Sequence, residues 1–141
     1  MKVIFLDLDG PLFNNGMLIN NALHCLNELI RLTEAKIVVT SDRRIGKTLE
    51  QIKSFISSTL GENISNEVIG MTEVVYYKGV EISRAAEIQL WLDSNIDIIT
   101  NYVIIDDSES AALLSSSMNF VKVGDAGITG EVFRHCLRIL G

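Results

Sequence analysis

The amino-acid sequence predicts an α/β domain built on a five-stranded, mainly parallel sheet with helices on both faces. Three observations carry that prediction. Short apolar runs alternate with segments of helical periodicity along the whole chain. The runs are unbroken, as in Val3-Ile4-Phe5-Leu6 and Ile37-Val38-Val39, the pattern of strands buried on both faces. Three of them end in polar clusters, Asp7/Asp9, Thr40/Ser41 and Asp106/Asp107. Parallel strands bring all three clusters to one edge of the sheet, where open α/β sheets bind their ligands.

The elements follow in order. The first strand is Val3–Leu6, and Pro11 to Leu18 is a loop with the turn signal Asn14-Asn15-Gly16. Ile19, Ala22, Leu23, Leu26, Leu29 and Ile30 recur at helical spacing and predict the first helix, with His24 at the boundary of its apolar stripe. Ile37–Thr40 is the second strand. A second helix uses Ile45, Leu49, Ile52, Phe55, Ile56 and Leu60, with Ser41 or Asp42 as its cap and Gly61 as its stop. Val68–Met71 is a short third strand. Val74–Tyr77 reads as a strand and Lys78-Gly79 as a turn. A helix then starts near Ser83 and turns Ala85, Ile88, Trp91 and Leu92 inward. Tyr102–Ile105 is the fourth strand, a short helix carries Ala111 to Leu114, and Phe120–Val123 is the fifth strand. The last helix starts after Thr129 and buries Val132, Phe133, Cys136, Leu137 and Leu140.

Composition sets bounds. The 141 residues contain one proline, no repeat and no low-complexity tract, so residues 1–141 read as one domain. An apolar share of 48% is that of a chain with a core. No apolar run is long enough for a bilayer, and Asp7 interrupts the N-terminal run too early for a signal peptide. No membrane association and no obligate protein partner is expected. Cys25 and Cys136 lie in apolar-periodic segments, which points to reduced core thiols and a cytoplasmic setting. The net charge of -6 argues against a protein that coats nucleic acid with its whole surface. It does not exclude a local basic mouth, and Arg43, Arg44 and Lys47 are clustered in sequence where one is expected.

The strand-end clusters define a chemistry. Carboxylates beside a buried strand are costly unless a cation meets them. Asp7, Asp9, Asp106 and Asp107 offer oxygen ligands to a hard cation, and Mg2+ completes such a shell with waters and a substrate phosphate. No cluster of His or Cys offers a zinc site. Asp7 can attack phosphorus as a carboxylate nucleophile. Asp9, two residues on, can protonate the leaving oxygen and later deprotonate water. Ser41 and the amides near it can hold phosphate oxygens, helped by the positive end of the following helix.

Asp7-Leu8-Asp9-Gly10 resembles the first motif of the haloacid dehalogenase (HAD) superfamily, nucleophile then acid/base. Val38-Val39-Thr40-Ser41 resembles the second, and Ile104-Ile105-Asp106-Asp107 the fourth, with Asp107 the direct metal ligand and Asp106 its supporter. Ser41-Asp42-Arg43 is similar to the Ser-Gly-Arg of polynucleotide phosphatases in this superfamily, which favours Ser41 over Thr40 as the phosphate-binding hydroxyl. A narrower resemblance is to the small HAD domain of Swiss Army knife RNA-repair proteins. It rests on Asp9-Gly10-Pro11-Leu12, on Arg84-Ala85-Ala86-Glu87-Ile88 with Trp91-Leu92, on the double aspartate, and on Gly127-Ile128-Thr129. The resemblance implies a Rossmann-like HAD fold. It also implies a lysine before the fourth strand, where this chain offers Arg84 or Lys78. Gly10, Thr40, Ser41, Asp42, Arg43 and Lys78 are the expected substrate contacts, and Asp7, Asp9 and Arg84 the catalytic residues.

No gap between these motifs is long enough for a folded cap domain. An uncapped site suits a phosphate on a large substrate, such as a nucleic-acid end, because a small metabolite would leave it open to water. The expected function is a Mg2+-dependent phosphomonoesterase acting through an aspartyl-phosphate. The alternatives are a small-molecule (nucleotide) phosphatase and a non-catalytic binding or regulatory domain of the same fold. Intact Asp7, Asp9 and Asp107 argue against the last.

Overall fold

The computed structural model describes residues 1–112 and 119–141. In chain order its elements are β1 (Lys2–Leu6), β2 (Phe13–Asn14), β3 (Met17–Leu18), α1 (Asn20–Thr33), β4 (Lys36–Val39), α2 (Leu49–Leu60), α3 (Glu62–Ser65) and β5 (Val68–Met71). They continue with β6 (Tyr76–Tyr77), β7 (Val80–Glu81), α4 (Arg84–Ser94), β8 (Asn101–Asp106), β9 (Phe120–Lys122) and α5 (Gly130–Leu140). Five strands form one sheet in the order β5-β4-β1-β8-β9, and every pairing in it is parallel. β1 is central, so the run that carries Asp7 and Asp9 is flanked on both sides.

Alternation along the strands sorts the core into two layers. Ile4, Leu6, Ile37, Val39, Val103 and Ile105 face one side, where Leu26 and Leu29 of α1, Ile52 and Ile56 of α2, and Cys136 and Leu140 of α5 cover them. Val3, Phe5, Val38 and Ile104 face the other, against Ile88 and Leu92 of α4. Phe5 meets Trp91 and Tyr102 edge-on, at 5.6 and 5.8 Å between ring centres. Both cysteines are free and buried, and burial pushes the Cys136 thiol up to about 12. Among the described residues no helix is long and apolar enough to cross a membrane.

Three local expectations are corrected. The loop after β1 contains a hairpin, β2–β3, and the segment 76–81 is a second hairpin outside the main sheet rather than a single strand. In both, the two central residues have positive φ (Asn15-Gly16 and Lys78-Gly79), the turn whose twist suits a tight antiparallel pair. α2 does not run on from Ser41. Asp42–Arg44 is a single 3-10 turn capped by Ser41, and Ile45 is exposed. α2 begins instead after Thr48, where Thr48 and Gln51 form a reciprocal capping box that satisfies two free donors at once. Of the helix expected at Ala111 to Leu114, the described part is a 3-10 turn, Glu109–Ala111; Leu113 and Leu114 lie outside the described residues.

Neither hairpin is a folded cap, and the described residues include no cap domain.

Candidate active site

The site assembles where the central strands end. The Asp7 amide donates to the Ile105 carbonyl at 3.1 Å, and the Thr40 amide donates to the Leu6 carbonyl at 3.0 Å. These bonds hold the three polar strand ends level. Asp7, Asp106 and Asp107 each offer a carboxylate oxygen, all within 4.8 Å of one another. Asp7 and Asp106 are buried and Asp107 is exposed.

Gly10 makes room for this cluster. Its φ is +107°, and a Cβ there would lie 2.6 Å from Asp107 Cγ. Any side chain would displace that carboxylate. A second glycine ties the same turn to the distant end of the chain: a Cβ on Gly127 would sit 2.3 Å from the Pro11 carbonyl, and the Ile128 amide donates to that carbonyl at 3.0 Å.

Arg84 faces the carboxylates from the first turn of α4, whose cap is Ser83. Its Nη1 donates to Asp106 Oδ2 at 2.8 Å and lies 3.5 Å from Asp7 Oδ2, while Nη2 donates to Asp42 at 2.8 Å. Burial alone would lower its pKa, but the bond to Asp106 and the charges of Asp106, Asp7 and Asp42 raise it, so it stays charged. Burial pushes Asp7 up to about 8; the charges of Asp106 and Asp107 add to the rise, and Arg84 and the Leu8 amide oppose it. Burial also raises Asp106, against the hydrogen bond from Arg84. The carboxylates outnumber the one guanidinium that faces them, which is shared with Asp42, so their ionised forms call for a further cation. An all-oxygen donor set of this kind fits a hard divalent cation such as Mg2+.

Asp9 stands apart from the cluster. It is exposed, and Arg43 holds it with two bonds, Nε to Oδ2 at 2.8 Å and Nη2 to Oδ1 at 3.0 Å. Its side chain is therefore not grouped with the other three expected metal ligands. The pocket over the site has a volume of about 570 Å³, and Asp7, Asp9, Ser41, Asp42, Arg84 and Asp107 are among its lining residues. Of the two candidate hydroxyls, Ser41 reaches this pocket. Thr40 is fully buried, and its Oγ1 has no partner among the described residues. Lys78 does not reach the pocket: the β6–β7 turn leaves it exposed, with Nζ 5.4 Å from the centre of the Tyr77 ring.

A family model, the HAD domain in Swiss Army Knife RNA repair proteins, matches residues 3–132. The chain belongs to this family. No curated protein and no solved structure matches the chain. Membership points to a hydrolase of the HAD type, in keeping with the aspartate cluster at the sheet edge.

Two parts of this HAD domain escape a reading by sequence. Arg44, expected in the basic mouth, is 1% exposed and belongs to the core. Its Nε donates to the Thr72 carbonyl at 2.8 Å, its Nη1 to the Thr40 and Ser41 carbonyls at 3.1 Å, and its Nη2 to Glu87 at 2.7 Å. Glu87 in turn accepts from the Val75 amide at 3.0 Å. This brace fastens the loop carrying Ser41 to the helix carrying Arg84. The second part is the aromatic shelf under Arg43, whose guanidinium carbon lies 4.8 and 5.4 Å from the ring centres of Phe55 and Phe13. The signal for the brace was Glu87 itself, a carboxylate beside Ile88 on the inward stripe of α4.

Proposed function

We propose that this domain is a Mg2+-dependent phosphatase that hydrolyses a phosphomonoester through an aspartyl-phosphate on Asp7, at the phosphorylated end of a large substrate such as a nucleic acid. The observation that carries the reading is the convergence of Asp7, Asp107 and Arg84 on one pocket at the sheet edge, with Asp106 buried behind them in contact with Arg84. The family's place in RNA repair supports the choice of a nucleic-acid end.

Asp7, Asp106 and Asp107 would hold Mg2+, which when bound offsets negative charge on the phosphate and keeps Asp7 ionised. Arg84 orients the Asp7 carboxylate, and its planar fork can also meet a phosphate oxygen. The Asp7 carboxylate attacks phosphorus, and the bond to the leaving oxygen breaks as Asp9 gives that oxygen a proton. Asp9 then takes a proton from water, which attacks the same phosphorus and releases inorganic phosphate and the Asp7 carboxylate. For this cycle Asp9 must leave its two-bonded contact with Arg43. Ser41 lies at the pocket wall, where it can hold a phosphate oxygen.

Hydrolysis of a generic aryl phosphate tests the reading. The wild-type chain should turn it over with Mg2+ and stop when a chelator is added. Asp7→Asn should abolish turnover and leave the folded state intact, because the amide is nearly the same shape but cannot attack. Near-wild-type hydrolysis by Asp7→Asn would overturn the assignment.

A further inference from the structure

We infer that the groove walled by Arg43, Lys47, Gln51, Ile52 and Phe55 holds the nucleotide adjacent to the reacting phosphate of a nucleic-acid strand, an inference that rests on the phosphatase reading above. The groove has a volume of about 460 Å³. It adjoins the candidate active site through Arg43, which lines the groove and binds Asp9 with its guanidinium. A strand whose terminal phosphate sits at Asp7 has to leave the pocket past one of its flanks.

The two flanks differ in charge. On one side, a hollow of about 420 Å³ is lined by Asp107 and Asp125 with Asn14 and Asn15, a wall that repels a polyanion, and by Asp9, whose charge Arg43 meets. On the other, the groove presents Lys47 beside the Asp9-bound Arg43 and, among the described residues, no carboxylate in its lining. On a chain of net charge -6, that is where phosphodiesters are drawn.

The groove also suits a base. Ile52 and Phe55 give it an apolar floor. The Arg43 guanidinium lies against Phe55 and Phe13, which holds a flat cation in place, and nucleobases stack on such planes without regard to sequence. The Gln51 carbonyl oxygen is already bound by the Thr48 amide, which leaves the side-chain nitrogen to donate. Lys47 is exposed at the rim, where it can meet a backbone phosphate.

The test is direct binding of two fluorescent RNA trinucleotides, one with a 5′- and one with a 3′-terminal phosphate, to the full chain. Lys47→Glu changes an exposed side chain and leaves folding untouched. It should weaken the better-bound probe by about tenfold and flatten the salt dependence by about one phosphate contact. Phe55→Leu keeps the apolar floor but removes the ring, and should weaken binding by roughly tenfold. Unchanged affinity in both variants overturns the groove, as does a phosphotyrosine peptide that binds the wild type more tightly than either trinucleotide. Aryl phosphate turnover by the wild type separates the two ideas. Turnover with binding unchanged in both variants overturns the groove alone. Lys47-dependent binding without turnover supports the groove and overturns the phosphatase reading.

Discussion

Arg43 and Arg44 stand side by side on one 3-10 turn, and they do unlike work. Arg44 is sealed in the core with its guanidinium divided among three carbonyls and Glu87. Arg43 is about one-third exposed and holds Asp9 across the mouth of the site. A buried pair is costly to break, because the charge left behind has no water to replace its partner. A half-exposed pair is cheap to break and can trade partners with a ligand. One turn thus carries a fixed brace and an exchangeable contact, and the difference lies in solvent access and in the partners each guanidinium meets.

Three measurements test that contrast, beginning with the largest effect. Glu87→Ala strands the Arg44 charge in the core and should lower unfolding free energy by about 3–5 kcal/mol, read from denaturant midpoints. A loss no larger than that of a surface pair would mean Arg44 finds water, and the brace would be no brace.

The second measurement contrasts the balanced brace with the unbalanced carboxylates of the active site. The folded-state pKa of Asp7 is raised from 3.8 to about 8, chiefly by burial and then by Asp106 and Asp107. Between those values the folded state binds more protons than the unfolded one. The Asp7 contribution is therefore full below pH 4 and is lost as pH rises through about 8. Without divalent cation, thermal stability should fall over that window. Asp7→Asn should flatten the slope and gain roughly 1–3 kcal/mol at the alkaline end, where the buried charge is no longer forced. A wild-type curve parallel to that of Asp7→Asn would show that the cluster carries no surplus charge.

The smallest effect belongs to Arg43→Ala. The loss of an exposed pair and its ring contacts should cost about 1 kcal/mol or less in the same denaturant experiment. A cost equal to that of Glu87→Ala would erase the distinction between the two arginines.

The legible parts of this molecule were those written in adjacent residues. Asp7-Leu8-Asp9 and Asp106-Asp107 each follow an unbroken apolar run, so strand, strand end and ligand type can be read from one stretch. Arg84 was legible through Ser83, a cap that fixes where its helix starts. The start of α2 was not, because Ser41-Asp42 and Thr48 with Gln51 both look like helix caps, and only the reciprocal box decides between them. The contacts between distant residues stayed hidden. Glu87 meets Arg44 across 43 positions and Arg43 meets Asp9 across 34. Nothing local distinguishes Arg43 from Arg44: both are arginines on the same turn, and their fates depend on α4 and on the shelf of Phe13 and Phe55.

The central position of β1 also governs the order in which the molecule can come together. β1 pairs on one side with β4, Val3 opposite Lys36, and on the other with β8, Lys2 opposite Asn101. The first pairing closes a short loop and the second a long one. Loop entropy grows only slowly with length, so the long closure weighs little on final stability, but contacts of high sequence separation slow folding. Until β8 docks, one edge of an apolar strand lies open, and Asp7 has neither Asp106 nor Asp107 beside it. Asp7 gains Asp106 and Asp107 only through the β1–β8 pairing, so the aspartate cluster is built by a contact of high sequence separation.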